Sequence, residues 1–195
     1  MTLTSQLFDA GCVQFGTFTL KSGLTSPIYI DLRLLVSHPA LLRETAARMA
    51  DLAQGLVFDR IAAVPYAGLP IATALALAME RPLIYPRLQA KEHGTRRAVE
   101  GAFQPGEVAL LVDDLITRGD SKLEAIAPLE EAGLVVRDVL VLIDREQGGA
   151  ADLARHGYRL HAVLRLSEMI DRLSASGRIT AAQYSEVREY LNRVT

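Results

Sequence analysis

The sequence predicts an α/β fold: a Rossmann-like parallel sheet flanked by helices, with a small N-terminal hood. Three observations carry this. Short apolar runs at residues 61–64, 83–85, 108–112 and 135–143 alternate with stretches of helical periodicity, as strands covered on both faces by helices require. Polar or glycine-rich segments follow these runs at Pro65, Arg87, Asp113 and Asp144, along the rim where doubly wound sheets hold ligands. The chain's 195 residues suffice for one domain with a proper core and are too few for two large ones.

Taken in order, residues 3–12 read as a short helix ending near Gly11. Residues 15–20 and 28–32 read as strands about a Lys21-Ser22-Gly23 turn, with Pro27 ahead of the second. Residues 1–35 are too few to form a domain and are expected to contribute a hood over the main sheet. Within that hood, Tyr29 is either pocket wall or ordinary core, and Lys21 either faces the pocket or sits in solvent. Pro39 suits a first helical position, and Leu41, Leu42, Thr45, Ala46, Met49, Leu52 and Ala53 follow at helical spacing up to Gly55. Strand 61–64 runs into the compact loop Pro65-Tyr66-Ala67-Gly68-Leu69-Pro70, and the alanine-rich helix 71–79 can lie close to the sheet.

Strand 83–85 ends at Pro86, after which residues 87–101 lose apolar periodicity and gain charge. A long polar connection of this kind is a functional lid or a solvated linker. As a flexible lid it would offer Lys91, His93 and Arg96 to an anion. The helix that follows strand 108–112 carries the pattern Leu123, Ile126, Ala127, Leu129, Glu130, and Gly133 closes it. Strand 135–143 is expected to be central, 150–156 a short helix, and strand 158–166 nearer an edge. Ser167 is expected to cap a helix running to Leu173. Thr180 and Gln183 form a capping box for the last helix, with Tyr184, Val187 and Leu191 facing inward.

Half of the residues are apolar, yet no stretch is long and charge-free enough to span a bilayer. The formal net charge of −2, from 21 Lys and Arg against 23 Asp and Glu, suggests neither a nucleic-acid-binding nor a membrane-binding surface. With Cys12 as the only cysteine, an internal disulfide framework and a cysteine-based zinc site are excluded. The opening Met-Thr-Leu-Thr-Ser-Gln lacks the basic-then-apolar pattern of a signal peptide, so a soluble cytoplasmic protein is expected.

The segment around which the chain is organised is Val108 to Ser121. An apolar strand meets solvent at Asp113-Asp114, and Thr117, Gly119 and Ser121 precede a helix. Strand, small-residue loop and helix start together make an anion site, with outward backbone N–H groups, a positive helix terminus and hydroxyls. The topology alone says only that this is the ligand side of a sheet. Neither Gly-x-x-x-x-Gly-Lys nor Gly-x-Gly-x-x-Gly accompanies it, which argues against a nucleoside-triphosphatase or dinucleotide loop.

The run Val112-Asp113-Asp114-Leu115-Ile116-Thr117-Arg118-Gly119-Asp120-Ser121 resembles the phosphoribosyl pyrophosphate (PRPP) signature of the type I phosphoribosyltransferases. Four further stretches point to one branch of that family. Phe18 to Gly23, Ser26 to Arg33, Lys91 to Thr95 and Asp144 to Gly149 resemble orotate phosphoribosyltransferase, above all the transferase half of bifunctional UMP synthases. The resemblance implies the type I phosphoribosyltransferase fold and a Mg2+-dependent enzyme of pyrimidine biosynthesis. Its substrates would be orotate and PRPP, and its products orotidine 5'-monophosphate and pyrophosphate.

Carried over position by position, the resemblance implies that Asp113 and Asp114 hold ribose hydroxyls and help place the magnesium complex. No protein metal site is implied, because the ion would be held mainly through PRPP or pyrophosphate and water. Thr117, Arg118, Gly119, Asp120 and Ser121 would wrap the 5'-phosphate. Lys21 would face the substrates, Ile28 and Tyr29 would border the orotate ring, and Arg145 would pair with the orotate carboxylate. Tyr66 and Arg87 would lie beside pyrophosphate. Lys91 and His93, on the flexible catalytic loop 87–101, would reach the neighbour's active site in a homodimer.

Two positions depart from the family pattern. Leu88 stands where a second lysine often follows the arginine, and Ala67 where many bacterial members carry lysine. UMP synthase-like members also lack the latter. Two other functions stay open at this point: a transferase for another base, for which Arg145 would have no carboxylate to meet, and a PRPP-sensing protein without turnover, for which Leu88 speaks.

Overall fold

A computed structural model describes residues 1–19, 23, 25–87 and 98–194. The chain opens with α1 (Leu3–Asp9), whose first turn is capped by the Thr2 hydroxyl accepting from the Ser5 N–H. An antiparallel hairpin follows, β1 (Val13–Thr19) and β2 (Thr25–Ile30), with Val13 opposite Ile30 and Phe15 opposite Ile28. Both strands start and end earlier than the sequence predicts. The cause at the second boundary is local: Asp31 accepts the Arg33 N–H and opens a 3-10 turn over Leu32–Ser37, which takes Leu32 out of the strand. Ile28 and Ile30 face the core, while Tyr29 on the opposite face stacks on Phe18.

Helix α2 (Pro39–Ala53) starts at the proline as expected and buries Leu41, Thr45, Ala46, Met49 and Ala53. Leu42 and Leu52, also expected inside, sit at the margin of that stripe, half-buried and exposed respectively. The main sheet comprises β3 (Arg60–Ala63), β4 (Leu83–Pro86), β5 (Val99–Glu100), β6 (Val108–Ile116), β7 (Val135–Asp144) and β8 (Arg159–Arg165). Their order across the sheet is β5-β4-β3-β6-β7-β8, with β5 antiparallel to β4 and every other pair parallel. The sequence does not announce β5, which is two residues at the end of a charged run. The long apolar β7 is internal but second from the edge, and β3 and β6 occupy the middle.

Two cores result from the alternation of side chains along these strands. Leu110, Val112, Leu140 and Leu142 pack on one face with α1, α2, α3 (Gly68–Met79), α6 (Leu166–Ala175) and α7 (Ala181–Val194). Ala109, Leu111, Val139 and Val141 pack on the other with α4 (Asp120–Glu131) and α5 (Gly149–Arg155). The face α4 turns inward is Lys122, Ala125, Ile126 and Leu129, so Leu123 is half-buried and Ala127 and Glu130 are exposed. A buried lysine therefore takes a place that the apolar pattern leaves unassigned.

At the C-terminal end, the Thr180–Gln183 capping box forms reciprocally, with N–H to side-chain bonds of 3.2 and 2.9 Å. The expected cap on α6 is replaced. Leu166 is already helical, and the Ser167 N–H and hydroxyl both donate to the Glu146 carboxylate, at 2.7 and 3.0 Å. A side chain from the β7 rim thus fixes the start of α6. Among the described residues no helix is long and apolar enough to cross a membrane.

Candidate active site

The strand order reverses between β3 and β6. From β3 the chain passes through α3 to β4 on one side, and from β6 it passes through α4 to β7 on the other, with the two helices on opposite faces. The carboxyl ends of β3 and β6 therefore open a crevice, the usual ligand position in doubly wound sheets. Pro65 to Gly68 enter it from one side and Asp113 to Ser121 from the other. Tyr66, joined to Pro65 by a cis peptide bond, is 76% exposed. Helix α3 begins at Gly68 rather than at Ile71, and its start lies against the acidic pair. A Cβ on Gly68 would stand 2.9 Å from Asp113 Oδ1 and 3.0 Å from the Val112 carbonyl oxygen, a spacing only glycine allows.

The acidic pair lies within β6, not beyond it. Asp113 is 5% exposed; its Oδ1 accepts the Asp114 N–H at 2.8 Å, and its Oδ2 meets Lys122 Nζ at 2.6 Å. Lys122 donates further to the Leu115 carbonyl at 2.6 Å and to Ser121 Oγ at 3.3 Å. Asp114 is less deeply buried; its Oδ1 accepts the N–H of its neighbour Leu115 at 2.7 Å, and its carboxyl also meets that of Asp113. Burial first, and the Asp113 charge second, push its pKa up to about 7. The two carboxyls are thus unlike: one is neutralised within the protein, the other is held under electrostatic strain at the crevice.

The loop 117–119 connects this strand to α4. Gly119 accepts from the Lys122 and Leu123 N–H groups at 2.9 and 3.0 Å. The N–H donors ahead of these, on Asp120 and Ser121, are the ones the helix start presents outward. The loop is backed by α5, which approaches so closely that a Cβ on Gly149 would stand 2.6 Å from Ile116 Cγ1. The Gly149 N–H donates to the Thr117 carbonyl at 3.0 Å. Arg118 points to solvent.

The end of β7 carries Arg145, tied to β6 by its N–H to the Ile116 carbonyl at 2.9 Å. Its side chain is 7% exposed, and its Nε and Nη2 are buried without a hydrogen-bond partner among the described residues. Desolvation holds this guanidinium below its ordinary pKa, offset in part by the nearby Tyr190. Gln147 Nε2 donates to the Tyr190 hydroxyl at 3.1 Å, so α7 is anchored beside the arginine. A buried cation with open donors is costly in the free protein and is suited to a planar anion with two acceptors.

No family model matches the chain. It is 37% identical over 176 residues to the orotate phosphoribosyltransferase of Pyrococcus furiosus, covering 89% of this chain and 97% of that protein. The chain belongs to the orotate phosphoribosyltransferase family. Other family relatives are longer. The bifunctional enzyme PyrF/PyrE of Nostoc is 44% identical over 182 residues, 93% of this chain and 38% of the relative. The structure of Leishmania donovani UMP synthase superposes with a TM-score of 0.92 at 44% identity, covering 98% of this chain and 42% of that one. The chain thus spans about two fifths of these bifunctional relatives.

Within this orotate phosphoribosyltransferase-family fold, the rim of β3, β6 and β7 brings together Asp113, Asp114, Thr117 to Ser121, Arg145 and the Tyr66 loop. Arg87 lies at the end of β4, where its guanidinium pairs with Glu100 on β5. Tyr29 is half-buried in the hairpin, its hydroxyl accepting from Arg33 Nη2 at 3.1 Å. Ile28 is fully buried in the core. Lys21, Leu88, Lys91 and His93 lie outside the described residues. Sequence reasoning did not single out Lys122, Tyr190 or Glu100. The first is charged on a helix and the last sits in a polar run, so neither carries a pattern that marks it as internal or paired. Among the described residues no group of three or more His, Cys, Asp or Glu side chains is arranged to hold a metal ion.

Proposed function

We propose that this chain catalyses phosphoribosyl transfer from PRPP to orotate, giving orotidine 5'-monophosphate and pyrophosphate in pyrimidine biosynthesis. The observation that carries the orotate assignment is Arg145. Its buried, unpartnered Nε and Nη2 form a fork that matches a carboxylate, and of the bases such enzymes use, orotate bears one. The loop 117–121 beside it suits the 5'-phosphate, and the acidic pair Asp113 and Asp114 suits the ribose hydroxyls.

In the transfer, the bond from ribose C1 to the pyrophosphate oxygen breaks while a bond from orotate N1 to C1 forms. Positive charge develops on the ribose and negative charge on the departing pyrophosphate. The protein's contribution is positioning and electrostatics: Arg145 fixes the acceptor's orientation, the α4 start fixes the phosphate, and Asp114 fixes the sugar between them. Asp113, paired with Lys122, lies beside Asp114 in the same strand. Mg2+, held mainly through PRPP or pyrophosphate and water, would supply positive charge to the leaving group, and Asp113 and Asp114 would help place that complex. Lys21, Lys91 and His93 complete the proposed substrate contacts. A cytoplasmic homodimer with shared active sites is part of the same reading, and sedimentation of a fully active monomer would remove it.

The test is orotate consumption by the purified protein with PRPP and Mg2+, followed by ultraviolet absorbance, with adenine, hypoxanthine and uracil as parallel acceptors. Turnover confined to orotate is expected. Turnover with a purine and not with orotate, or PRPP binding without turnover of any base, overturns the proposal.

A further inference from the structure

Strand β5 is two residues long, yet its ties converge on one side chain. Val99 turns into the second core, 2% exposed, and anchors the strand from one face. The ladder to β4 sets Pro86 opposite Val99 and Tyr85 opposite Glu100, and the Arg87 N–H donates to the Ala98 carbonyl at 2.8 Å. Directly after β5, Gly101 adopts a φ of 98° and lies so close to β4 that a Cβ would stand 2.8 Å from Ile84 Cγ2 and 2.9 Å from the Leu83 carbonyl oxygen. The Glu100 backbone is thus held on both sides, and side-chain alternation points its carboxylate away from the Val99 core. On that face it meets Arg87, its diagonal neighbour across the two strands.

The pair engages one edge of the guanidinium. Arg87 Nε and Nη2 both meet Glu100 Oε1. A guanidinium carries five N–H donors in a rigid plane, and among the described residues no acceptor meets Arg87 on the Nη1 side. The two side chains are 24% and 33% exposed, so the pair stands at the surface of the rim. Arg87 ends β4, which is next in the sheet to β3, and β3 runs into the Tyr66 loop at the crevice. We infer that Glu100 is a positioning residue: it fixes the Nε edge of Arg87 against β5, so that the Nη1 side is presented to the diphosphate of PRPP and to the departing pyrophosphate. The inference rests on the phosphoribosyl-transfer reading, in which Arg87 lies beside pyrophosphate, and Glu100 itself touches no substrate. An arginine without this partner samples many rotamers, and binding must then meet the cost of ordering it.

The experiment compares Glu100→Ala, Glu100→Gln, Arg87→Ala and the double variant Glu100→Ala with Arg87→Ala. KM values for PRPP and orotate, the inhibition constant of pyrophosphate, PRPP binding by calorimetry and thermal melts are measured for each. Glu100→Ala is expected to raise the PRPP KM and the pyrophosphate inhibition constant about tenfold, with the orotate KM within about threefold of wild type. Glu100→Gln keeps an acceptor oxygen and is expected to recover part of the loss; it also serves where Glu100→Ala does not fold. A partly exposed ion pair contributes little to stability, so melting temperatures are expected within about 3 °C of wild type. Because Glu100 acts through Arg87, the double variant is expected to be no worse than Arg87→Ala alone.

PRPP and pyrophosphate constants unchanged in Glu100→Ala show an ion pair that serves the edge strand alone and overturn the inference. Tighter pyrophosphate binding in that variant also overturns it, by showing a carboxylate that competes for the guanidinium, and so do losses that add in the double variant. Wild-type protein that binds no PRPP in the calorimeter overturns the functional reading and this inference with it, whereas wild-type binding and turnover with an indifferent Glu100→Ala overturn this inference alone.

Discussion

Arg145→Met is the perturbation for which the structure predicts two effects of opposite sense. In the free protein, the arginine keeps a charge in a desolvated position with Nε and Nη2 unpartnered, a net cost to the fold. Methionine fills similar volume without that cost. Stability is therefore expected to hold or rise, as when buried ionic groups give way to apolar ones of similar size. In the proposed orotate complex, the two open donors would each make a charge-assisted hydrogen bond worth about 1.5–3 kcal/mol, so the substitution would lose roughly 3–6 kcal/mol of interaction with the orotate carboxylate. At about 1.4 kcal/mol per factor of ten, kcat/KM for orotate is expected to fall by about 10² to 10⁴. Arg145→Lys keeps a charge without the fork and is expected to fall between. The assays are orotate consumption and a thermal melt on the same preparations. Orotate kcat/KM within threefold of wild type, or a melting temperature falling in parallel with activity, refutes the assignment of Arg145 as an anion receptor held ready at a cost to stability.

Two further perturbations follow from the site geometry. The Asp114 pKa, raised to about 7, lies above that of an aspartate in the unfolded chain, so between these values the native state holds a proton that the unfolded state has lost. Stability should therefore fall as pH rises from about 4 through 7, by at most roughly 4 kcal/mol for a shift of about 3 units. Asp114→Asn should flatten that dependence in denaturant titrations at pH 5 and 8 while abolishing PRPP turnover. Gly149→Ala would set a methyl 2.6 Å from Ile116 Cγ1 and 2.9 Å from the Thr117 carbonyl oxygen. It should cost about 1–3 kcal/mol and raise the PRPP KM by displacing the phosphate loop; an unchanged PRPP KM would show that α5 does not set that loop.

What the sequence disclosed depended on how much chain each signal spans. The parallel strands and α2 were legible because their apolar patterns repeat over several residues, and Pro39 and the Thr180–Gln183 box mark helix starts with chemistry of their own. Strand β5 was not, since its two residues gain their pairing only from β4 beside them. Ser167 reads as a cap from its type and place, yet its bonds go to a glutamate 21 positions away, which no local pattern encodes. The acidic pair was visible as a pair, but its buried partner Lys122 was not, because a lysine on a helix reads as solvent-facing until its counterion is known.

The charged groups at the rim fall into two kinds, and the difference has mechanistic content. Lys122 and Asp113 neutralise one another, and all three lysine donors are taken up inside the protein. Arg145 and Asp114 are the reverse: each is buried beyond what its protein partners compensate, with the guanidinium pushed toward losing its charge and the carboxyl toward keeping its proton. Strain of this sort persists where something outside the chain relieves it. In the proposed reaction, the orotate carboxylate would relieve the first, and ribose hydroxyls, donating to the ionised carboxyl, would relieve the second. Arg145 directly follows β7 and Asp114 lies on the adjacent β6, and the loop 117–119 starts where β6 ends. In the proposed reaction, the order acceptor base, ribose, phosphate would match the order of groups along neighbouring strand ends: Arg145 after β7, the acidic pair on β6, and the loop that follows it.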